Sequence, residues 1–330
     1  MAECATPETM QIMTSFATNL PYAVHVIVCL ATVVLSIIAV RMLLYRSIFH
    51  DSTRILFFVS LFYANLHELM QIYNEVTAFY RSMIYADAPC KILVTQESCR
   101  LENNLIVSSI AGMVFVECAL TMDRIIATYS LKKSVTMSSS SGFVLALAAI
   151  IGSILVPFIT FYGDPYTGYV QNCMLMPAQS KNRANTLLFC YTIINIVNIA
   201  LNSVIIYINK RQDRGTRFKL KLRYQARETL ISTLAVCTIT TAQFIALAIY
   251  SGGILLMRTN QDHFTLFAYF AIIPWVYAVP YAAISLPTLI IVCVSITGKD
   301  RRRAIEVVQN TKETQEGRMK SLNEMWNNSY

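Results

Sequence analysis

Two adjacent residues of opposite charge, Asp123 and Arg124, have the clearest chemical potential in this sequence. They lie at the end of a long apolar segment, and Tyr129 follows five residues later. A carboxylate beside a guanidinium can hold the cation in a charge-assisted contact and release it to a partner when helices move. The alternative is a membrane-edge anchor, in which the arginine extends toward the headgroups so that its charge reaches water. The residue types leave both interpretations open.

Other polar residues lie inside apolar segments, where ionisable groups are costly and often functional. Four of them recur at helical spacing, and therefore on one helix face: Asn65, Glu68, Gln71 and Glu75. We interpret these residues and Glu117 mainly as a polar network between helices, and expect a similar role for Asn195, Asn198 and Asn202. Glu75 is the exception, because it lies in the outer third of its segment, where a ligand could reach it.

The sequence lacks the residue patterns of the common membrane enzymes. Its four histidines are scattered over different segments: His25, His50, His67 and His263. No Cys-x-x-Cys or Cys/His pattern is present, and residues 264–297 contain no lysine that could carry retinal. We therefore expect neither enzymatic activity nor a metal or other cofactor.

Seven long apolar segments are the elements that position these residues. A helix needs about 20 apolar residues to cross the hydrocarbon core of a membrane. Segments that meet this requirement lie near 21–45, 55–80, 101–128, 142–162, 186–209, 229–257 and 264–297. A soluble helical bundle would show polar faces, and a transmembrane barrel would show short alternating segments. The pattern predicts an all-α membrane protein with a seven-transmembrane helix bundle.

The distribution of basic residues predicts the orientation. Of the 27 lysines and arginines, 21 lie on one side of the predicted spans and six on the other. Basic residues concentrate on the cytoplasmic side, so residues 1–20 are predicted to be extracellular and residues 298–330 to form a cytoplasmic tail. The tail forms either a short amphipathic helix on the membrane or a solvated basic segment.

Composition agrees with a membrane protein rather than a nucleic-acid-binding one. The 330 residues are 55% hydrophobic and only 14% charged, against about 25% charged in soluble domains. The net charge of +8 comes from short loops between apolar segments, where topology alone accounts for it. We expect membrane lipid, and not nucleic acid, among the partners.

Cysteines follow the same topology. Cys4, Cys90, Cys99 and Cys173 fall on the predicted outer side, where disulfides persist, and four cysteines allow three connectivities. Cys99 lies 25 residues before Arg124, about 37 Å in a helix and one membrane crossing. This arrangement resembles that of G-protein-coupled receptors. The resemblance implies a disulfide between Cys99 and Cys173, with Cys90 either free or paired with Cys4.

Sequence runs across the chain resemble one receptor family more closely. They are residues 217–228 (RFKLKLRYQARE), 241–244 (TAQF), 249–252 (IYSG), 275–281 (WVYAVPY), 285–287 (SLP) and 87–90 (DAPC), with Cys4-Ala5 near the start. The chain is similar to nematode serpentine receptors of class alpha (Sra). The resemblance implies a chemosensory receptor in the plasma membrane of sensory-neuron cilia. It also implies an external small-molecule ligand and a heterotrimeric G protein as partners.

The chain departs from the rhodopsin-like pattern in its last two spans. The sixth has neither proline nor tryptophan, and the seventh has Ser285-Leu-Pro287 where an Asn-Pro pair is expected. Pro280 and Pro287 can still kink the seventh span. The activation movement is therefore not predictable from the resemblance.

We predict a ligand pocket in the outer half of the bundle, between the third, fifth, sixth and seventh spans. Its expected lining is Glu75, Ile106, Ile110, Tyr191, Gln243 and Trp275. For G-protein coupling we expect Asp123, Arg124, Tyr129, Lys219, Lys221 and Arg223. The basic loop at 210–228 could equally attract anionic lipid or only fix topology. A seven-span ligand-gated channel or a transporter is the alternative function.

Overall fold

The computed structural model describes residues 4–46, 49–133, 139–174, 177–215, 220–310 and 319. Within these residues almost all of the chain is helical. The helices are α1 (Pro7–Thr14), α2 (Phe16–Tyr45), α3 (Asp51–Ile84), α4 (Pro89–Ile92), α5 (Arg100–Lys133), α6 (Ser139–Thr160), α7 (Lys181–Gly215), α8 (Leu220–Thr259), α9 (Leu266–Val276) and α10 (Val279–Asn310). Two short strands, β1 (Val94–Thr95) and β2 (Tyr169–Val170), pair antiparallel.

Seven helical segments among the described residues are long and apolar enough to cross a membrane. They are α2, α3, α5, α6, α7, α8 and the pair α9–α10, so the chain is a multi-pass membrane protein with the predicted seven-helix fold. Large apolar side chains cover the outside of the bundle: Ile27 is 67% exposed and Phe143 63% exposed. Such a surface suits lipid rather than water.

The third span, α5, is the centre of the bundle. In its most apolar stretch 72% of the residues are buried, against 28% for the first, fourth and fifth spans. It packs against α3, α6, α7 and α8. One end of α5 follows Cys99, and we call it the disulfide end of the bundle; the opposite end contains Arg124 and is called the Arg124 end.

Close packing at the Arg124 end depends on a glycine. A Cβ atom on Gly142, in α6, would overlap the backbone and the Oγ atom of Ser52, in α3. Only glycine therefore lets α6 approach the beginning of α3 this closely. Ser52 in turn contacts Asp123, so this approach helps to shape the site described below.

The seventh span is interrupted between α9 and α10, at Tyr277 and Ala278. Pro280 explains the position of the break, because proline has no N–H to bond the carbonyl of Val276 four residues earlier, and its ring clashes with that carbonyl. The Tyr277 N–H instead bonds Ile273 and Pro274 carbonyls, and α10 starts with a bond from Ala282 N–H to the Ala278 carbonyl. The expected proline kink is thus a complete break.

Several helices are longer than the hydrophobic pattern predicted. Ser15 caps α2 by accepting a hydrogen bond from the Thr18 N–H, so the first span begins at Phe16 rather than near residue 21. At the Arg124 end α7 and α8 extend into the basic segment 210–228, and α10 continues past Gly298 to Asn310. Polar and basic residues can extend a membrane helix into water, where hydropathy no longer marks its end.

Candidate functional site

A cavity of about 370 Å³ opens at the disulfide end of the bundle. Its walls come from α2, α3, the loop before α7, and the disulfide ends of α7, α8 and α9. The lining residues are Tyr22, His25, Gln71, Glu75, Asn172, Met174, Lys181, Leu188, Tyr250, Ile254, Arg258, Gln261, Tyr269, Phe270, Ile273, Pro274 and Tyr277. A cavity of this size, largely aromatic and aliphatic with a few polar groups, has the character of a small-molecule site.

The inner wall of this cavity contains a buried carboxylate held by two neighbours. His25 Nδ1 lies 2.8 Å from Glu75 Oε1, and the Gln71 amide nitrogen donates a hydrogen bond to the same oxygen. The three side chains are 2% exposed or less. Gln71 and Glu75 are four residues apart on α3, which puts them on one face, and α2 supplies His25 from the adjacent span.

Three atoms of this inner group have no hydrogen-bond partner among the described residues: Glu75 Oε2, Gln71 Oε1 and His25 Nε2. Buried polar atoms are usually paired, so a group of three in one cavity wall requires a reason. Glu75 lies nine residues from the end of α3, or about 13 Å inside the bundle along the helix axis.

The outer rim of the cavity is basic. Arg258 lies one residue from the end of α8, and Lys181 is the first residue of α7. Neither forms a hydrogen bond or an ion pair within the described part of the chain. Tyr250 and Tyr269 line the same wall as Arg258. The rim therefore offers two cations without protein counter-charges.

Tyr277 connects the cavity to the interior. It lies at the break between α9 and α10, and its hydroxyl is 2.6 Å from His67 Nε2, while His67 Nδ1 is 3.1 Å from Glu68 Oε1. The Tyr277 ring also packs edge-on against Tyr250, with 5.2 Å between centroids. A movement of the cavity wall at Tyr277 would be transmitted to α3 through His67 and to α8 through Tyr250.

Polar contacts between spans continue through the middle of the bundle. The Ser60 hydroxyl donates to Glu117 Oε1 at 3.2 Å, which joins α3 to α5. The Asn202 amide donates to Thr240 at 2.8 Å, which joins α7 to α8. Asn198 reaches Cys118 in α5, whereas Asn195 has no partner among the described residues. Of the residues expected to form a network between helices, Glu117, Asn198 and Asn202 contact a neighbouring span, whereas Asn65 donates to the Leu61 carbonyl of its own helix.

At the opposite end, Asp123 and Arg124 form a buried network. The Ser52 hydroxyl donates to Asp123 Oδ1 at 2.6 Å, and the Thr53 hydroxyl donates to Oδ2 at 2.8 Å. Arg124 Nη2 bonds Asp123 Oδ2 and the Thr53 hydroxyl. Arg124 Nη1 donates to the Ser232 hydroxyl on α8 at 3.1 Å. The network thus links the second, third and sixth spans.

Burial of this pair differs from the expectation that Arg124 reaches water at the membrane edge. Asp123 is 0% exposed and Arg124 2% exposed. Hydropathy predicted where the pair lies along α5, but not the lengths of α3 and α8, which extend beyond the predicted spans and cover the pair. The pair is thus buried instead of exposed at the membrane edge. Disrupting a buried ion pair costs far more free energy than disrupting an exposed one.

The other predicted coupling residues lie outside this network or outside the described region. Tyr129 is on the surface of α5, with 57% of its area exposed. Lys219 lies outside the described residues. Lys221 and Arg223 belong to the first turn of α8, in a stretch whose side chains are not described.

Two disulfides join loops and helix ends at the disulfide end. Cys99 pairs with Cys173, and Cys4 pairs with Cys90. The first bond holds the segment after β2 against the beginning of α5, and the β1–β2 pair lies beside it. Asn172, next to Cys173, donates to the Tyr22 hydroxyl at 3.0 Å and so brings this loop to the cavity. The Cys99–Cys173 pairing is the one that the receptor resemblance implied.

Of the six residues expected to line a ligand pocket, only Glu75 lines this cavity. Four of the others are buried elsewhere: Ile106, Ile110 and Tyr191 in the core, and Gln243 against Ser285 and the Ala282 carbonyl. Trp275 is 46% exposed on α9. The cavity has no lining residue from the third span, so its walls differ from the predicted ones. Helical phase predicts which residues point inward, but not which neighbouring helix closes against them.

Among the cavity residues that the sequence interpretation did not place in a ligand pocket are His25, Gln71, Arg258 and Tyr277. His25 and Glu75 lie at similar depths in consecutive antiparallel spans, each nine residues from the helix end at the disulfide end of the bundle, and this spacing could have suggested the pair. Tyr277 carries no comparable signal, because its position depends on the break at Pro280.

Comparisons with known proteins agree with the seven-helix fold. Residues 1–326 match the family described as "Serpentine type 7TM GPCR chemoreceptor Sra". The chain is 38% identical over 323 residues to serpentine receptor class alpha-10 of Caenorhabditis briggsae, covering 98% of this chain and 97% of that protein. It is 37% identical over 327 residues to serpentine receptor class alpha-10 of Caenorhabditis elegans, with 98% and 97% coverage. It is also 32% identical over 324 residues to the Caenorhabditis elegans class alpha-12 receptor, with 98% and 99% coverage.

Proposed function

Because the chain belongs to the Sra family of serpentine seven-transmembrane chemoreceptors, we propose that it binds an external small molecule and activates a heterotrimeric G protein. One observation carries the proposal. A single bundle contains an open cavity at the disulfide end and, at the other end of the same helices, a buried Asp-Arg network joined to the sixth span. The first suits ligand capture, and the second suits a releasable restraint.

The proposed orientation puts the disulfide end outside the cell. Disulfides persist in oxidising compartments, and basic residues are concentrated on the Arg124 side of the spans. The cavity would then face the environment, and the Arg124 end would face the cytoplasm. We place the receptor in the plasma membrane and, by analogy with chemosensory function, in the cilia of sensory neurons.

Coupling would pass through α8. This helix supplies Ile254 and Arg258 to the cavity and Ser232 to the Arg124 network. If a ligand shifts the disulfide end of α8, an outward movement at its other end breaks the contact between Arg124 and Ser232. The opened space would receive the G protein, and the basic segment containing Lys219, Lys221 and Arg223 would contact its acidic surface or the anionic lipid beside it.

The proposal is tested by expressing the chain in cultured cells with cAMP and calcium reporters and applying a panel of odorants and metabolites. We expect a dose-dependent response that a nucleotide blocking G-protein activation removes. Ile254→Trp should abolish the response at unchanged surface level, because the larger ring fills the cavity. Ile249→Trp is the matched control, since Ile249 is 59% exposed on the outside of the same helix.

Two results would refute the proposal. The first is an agonist response that is equally strong in Ile254→Trp and wild type. The second is an agonist-gated ion current that persists when G proteins are blocked, which would favour the channel alternative.

A further inference from the structure

We infer that the cavity takes an amphoteric small molecule, with a protonated amine at its inner end, an acidic group at its outer end and an apolar segment between them. The inference rests on the proposed function and specifies the ligand class of the same cavity. The support is that polar groups without partners differ between the two ends of the cavity. The inner end has acceptor oxygens, and the outer end has cations.

The inner end offers hydrogen-bond acceptors. Glu75 Oε1 is already held by His25 and Gln71, whereas Glu75 Oε2 and Gln71 Oε1 are unpartnered. An ammonium group has three donors and a positive charge, so it can meet both oxygens at once. The contact to the carboxylate would be charge-assisted and therefore stronger than a neutral hydrogen bond. A carboxylate or phosphate at this end would instead place its own acceptor oxygens against those of Glu75 and Gln71.

The outer end offers cations. Arg258 and Lys181 line the rim without a hydrogen-bond acceptor or counter-ion among the described residues. A carboxylate can accept two hydrogen bonds from the guanidinium of Arg258 in a planar arrangement, and Lys181 adds a second positive charge. An acidic ligand group therefore suits this end, and an amine does not.

The middle of the cavity is apolar and aromatic. Leu188, Ile254, Phe270 and Ile273 lie between the two polar ends and can cover a hydrocarbon or aromatic segment. Glu75 lies about 13 Å inside the end of α3, whereas Arg258 is one residue from the end of α8. The two ligand charges should thus be separated by roughly 10 Å, the length of an extended chain of about eight carbons, given the helix rise.

The test uses three probes of equal chain length: ω-aminooctanoate, octanoate and octylamine. The full chain is purified in lipid nanodiscs, and the affinity for each probe is measured by ligand-observed NMR, which needs no G protein. We expect ω-aminooctanoate to bind at least about tenfold more tightly than either singly charged probe, because only it meets both ends. Probes that bind without producing a signal in cells would leave this inference standing, because the affinities are measured independently of signalling.

Two variants assign the contacts. Glu75→Gln should weaken ω-aminooctanoate and octylamine by about tenfold and leave octanoate unchanged. Arg258→Gln should weaken ω-aminooctanoate and octanoate and leave octylamine unchanged. It also provides an independent test if Glu75→Gln fails to fold, since Arg258 is not fully buried. Glu97→Gln and Lys91→Gln are the controls, because both residues are exposed at the same end of the bundle and outside the cavity.

The inference is overturned if a singly charged probe binds as tightly as ω-aminooctanoate, or if neither cavity variant changes the order of the three affinities. It is also overturned if no probe binds while another molecule signals through the cavity. In that last case the proposed function would stand and only the ligand class would be wrong.

Discussion

The hydrogen bond from Arg124 to Ser232 gives the sharpest prediction about activation. Ser232→Ala removes the one hydrogen bond that, among the described side chains, joins Arg124 to α8, and it leaves Asp123, Thr53 and Ser52 intact. The substitution deletes a single hydroxyl on a residue that is 8% exposed, so it should not prevent folding. Its effect should fall on the equilibrium between the resting and active arrangements.

The size of the effect follows from the chemistry of the contact. A hydrogen bond to a charged group contributes about 1.5–3 kcal/mol, and each 1.4 kcal/mol changes an equilibrium constant tenfold. The 3.1 Å length is ordinary, so we take the lower value and expect a shift of about tenfold. A receptor whose active form is about 1% populated at rest would become roughly 10% active without agonist.

The assay is agonist-independent nucleotide exchange on the G protein in membranes, normalised to surface receptor. Ser203→Ala is the matched control, because Ser203 is exposed on α7 and, among the described residues, bonds only the Ile199 carbonyl of its own helix. Basal exchange in Ser232→Ala equal to that of wild type and Ser203→Ala would mean that this contact does not restrain α8. The proposed route of coupling would then be wrong.

Four further predictions concern folding and topology. Asp123→Asn should lower surface expression strongly, since breaking a buried ion pair costs about 3–5 kcal/mol; a normal level on intact cells would argue against burial of the pair. Gly142→Ala should destabilise the detergent-solubilised receptor by about 1–3 kcal/mol in thermal unfolding, whereas Gly252→Ala, with open space around it, should not. Cys99→Ser should also reduce surface expression, because loss of a native disulfide costs about 2–5 kcal/mol in small domains. An epitope tag after Tyr330 should be labelled only in permeabilised cells, and labelling on intact cells would reverse the proposed orientation.

The seven-span fold was predictable because hydropathy is nearly sufficient for it. In lipid every backbone polar group must be bonded within its own helix, so a long apolar segment has few alternatives to a spanning helix. Helix ends were less predictable, since Ser15 and the polar residues of α7 act through capping and propensity rather than hydropathy. The break at Tyr277 was foreseen only as a kink, because a proline indicates a disruption but not how the chain resumes.

The site was less predictable than the fold, for a physical reason. Helical periodicity put Ile106 and Ile110 on the inner face of α5, and both are buried. Whether an inward residue meets a cavity or a neighbouring helix depends on interhelical distances, and these follow from pairs such as Gly142 with Ser52. Glu75 was identifiable because an acid inside a membrane span is costly on its own.

The two disulfides brace only part of the bundle. The bond from Cys4 to Cys90 spans the first and second transmembrane helices, and the bond from Cys99 to Cys173 spans the third and fourth and ends at the loop before the fifth. Cys237 and Cys293, in the sixth and seventh spans, are free thiols. Those two spans therefore have no covalent brace beyond the chain itself, yet they supply Arg258 and Tyr277 to the cavity. A reducing agent would therefore cut the cross-links among the first four spans and the loop before the fifth. It would break no covalent bond of the sixth and seventh spans, so its effect on the cavity should come from the side formed by the first two spans and that loop.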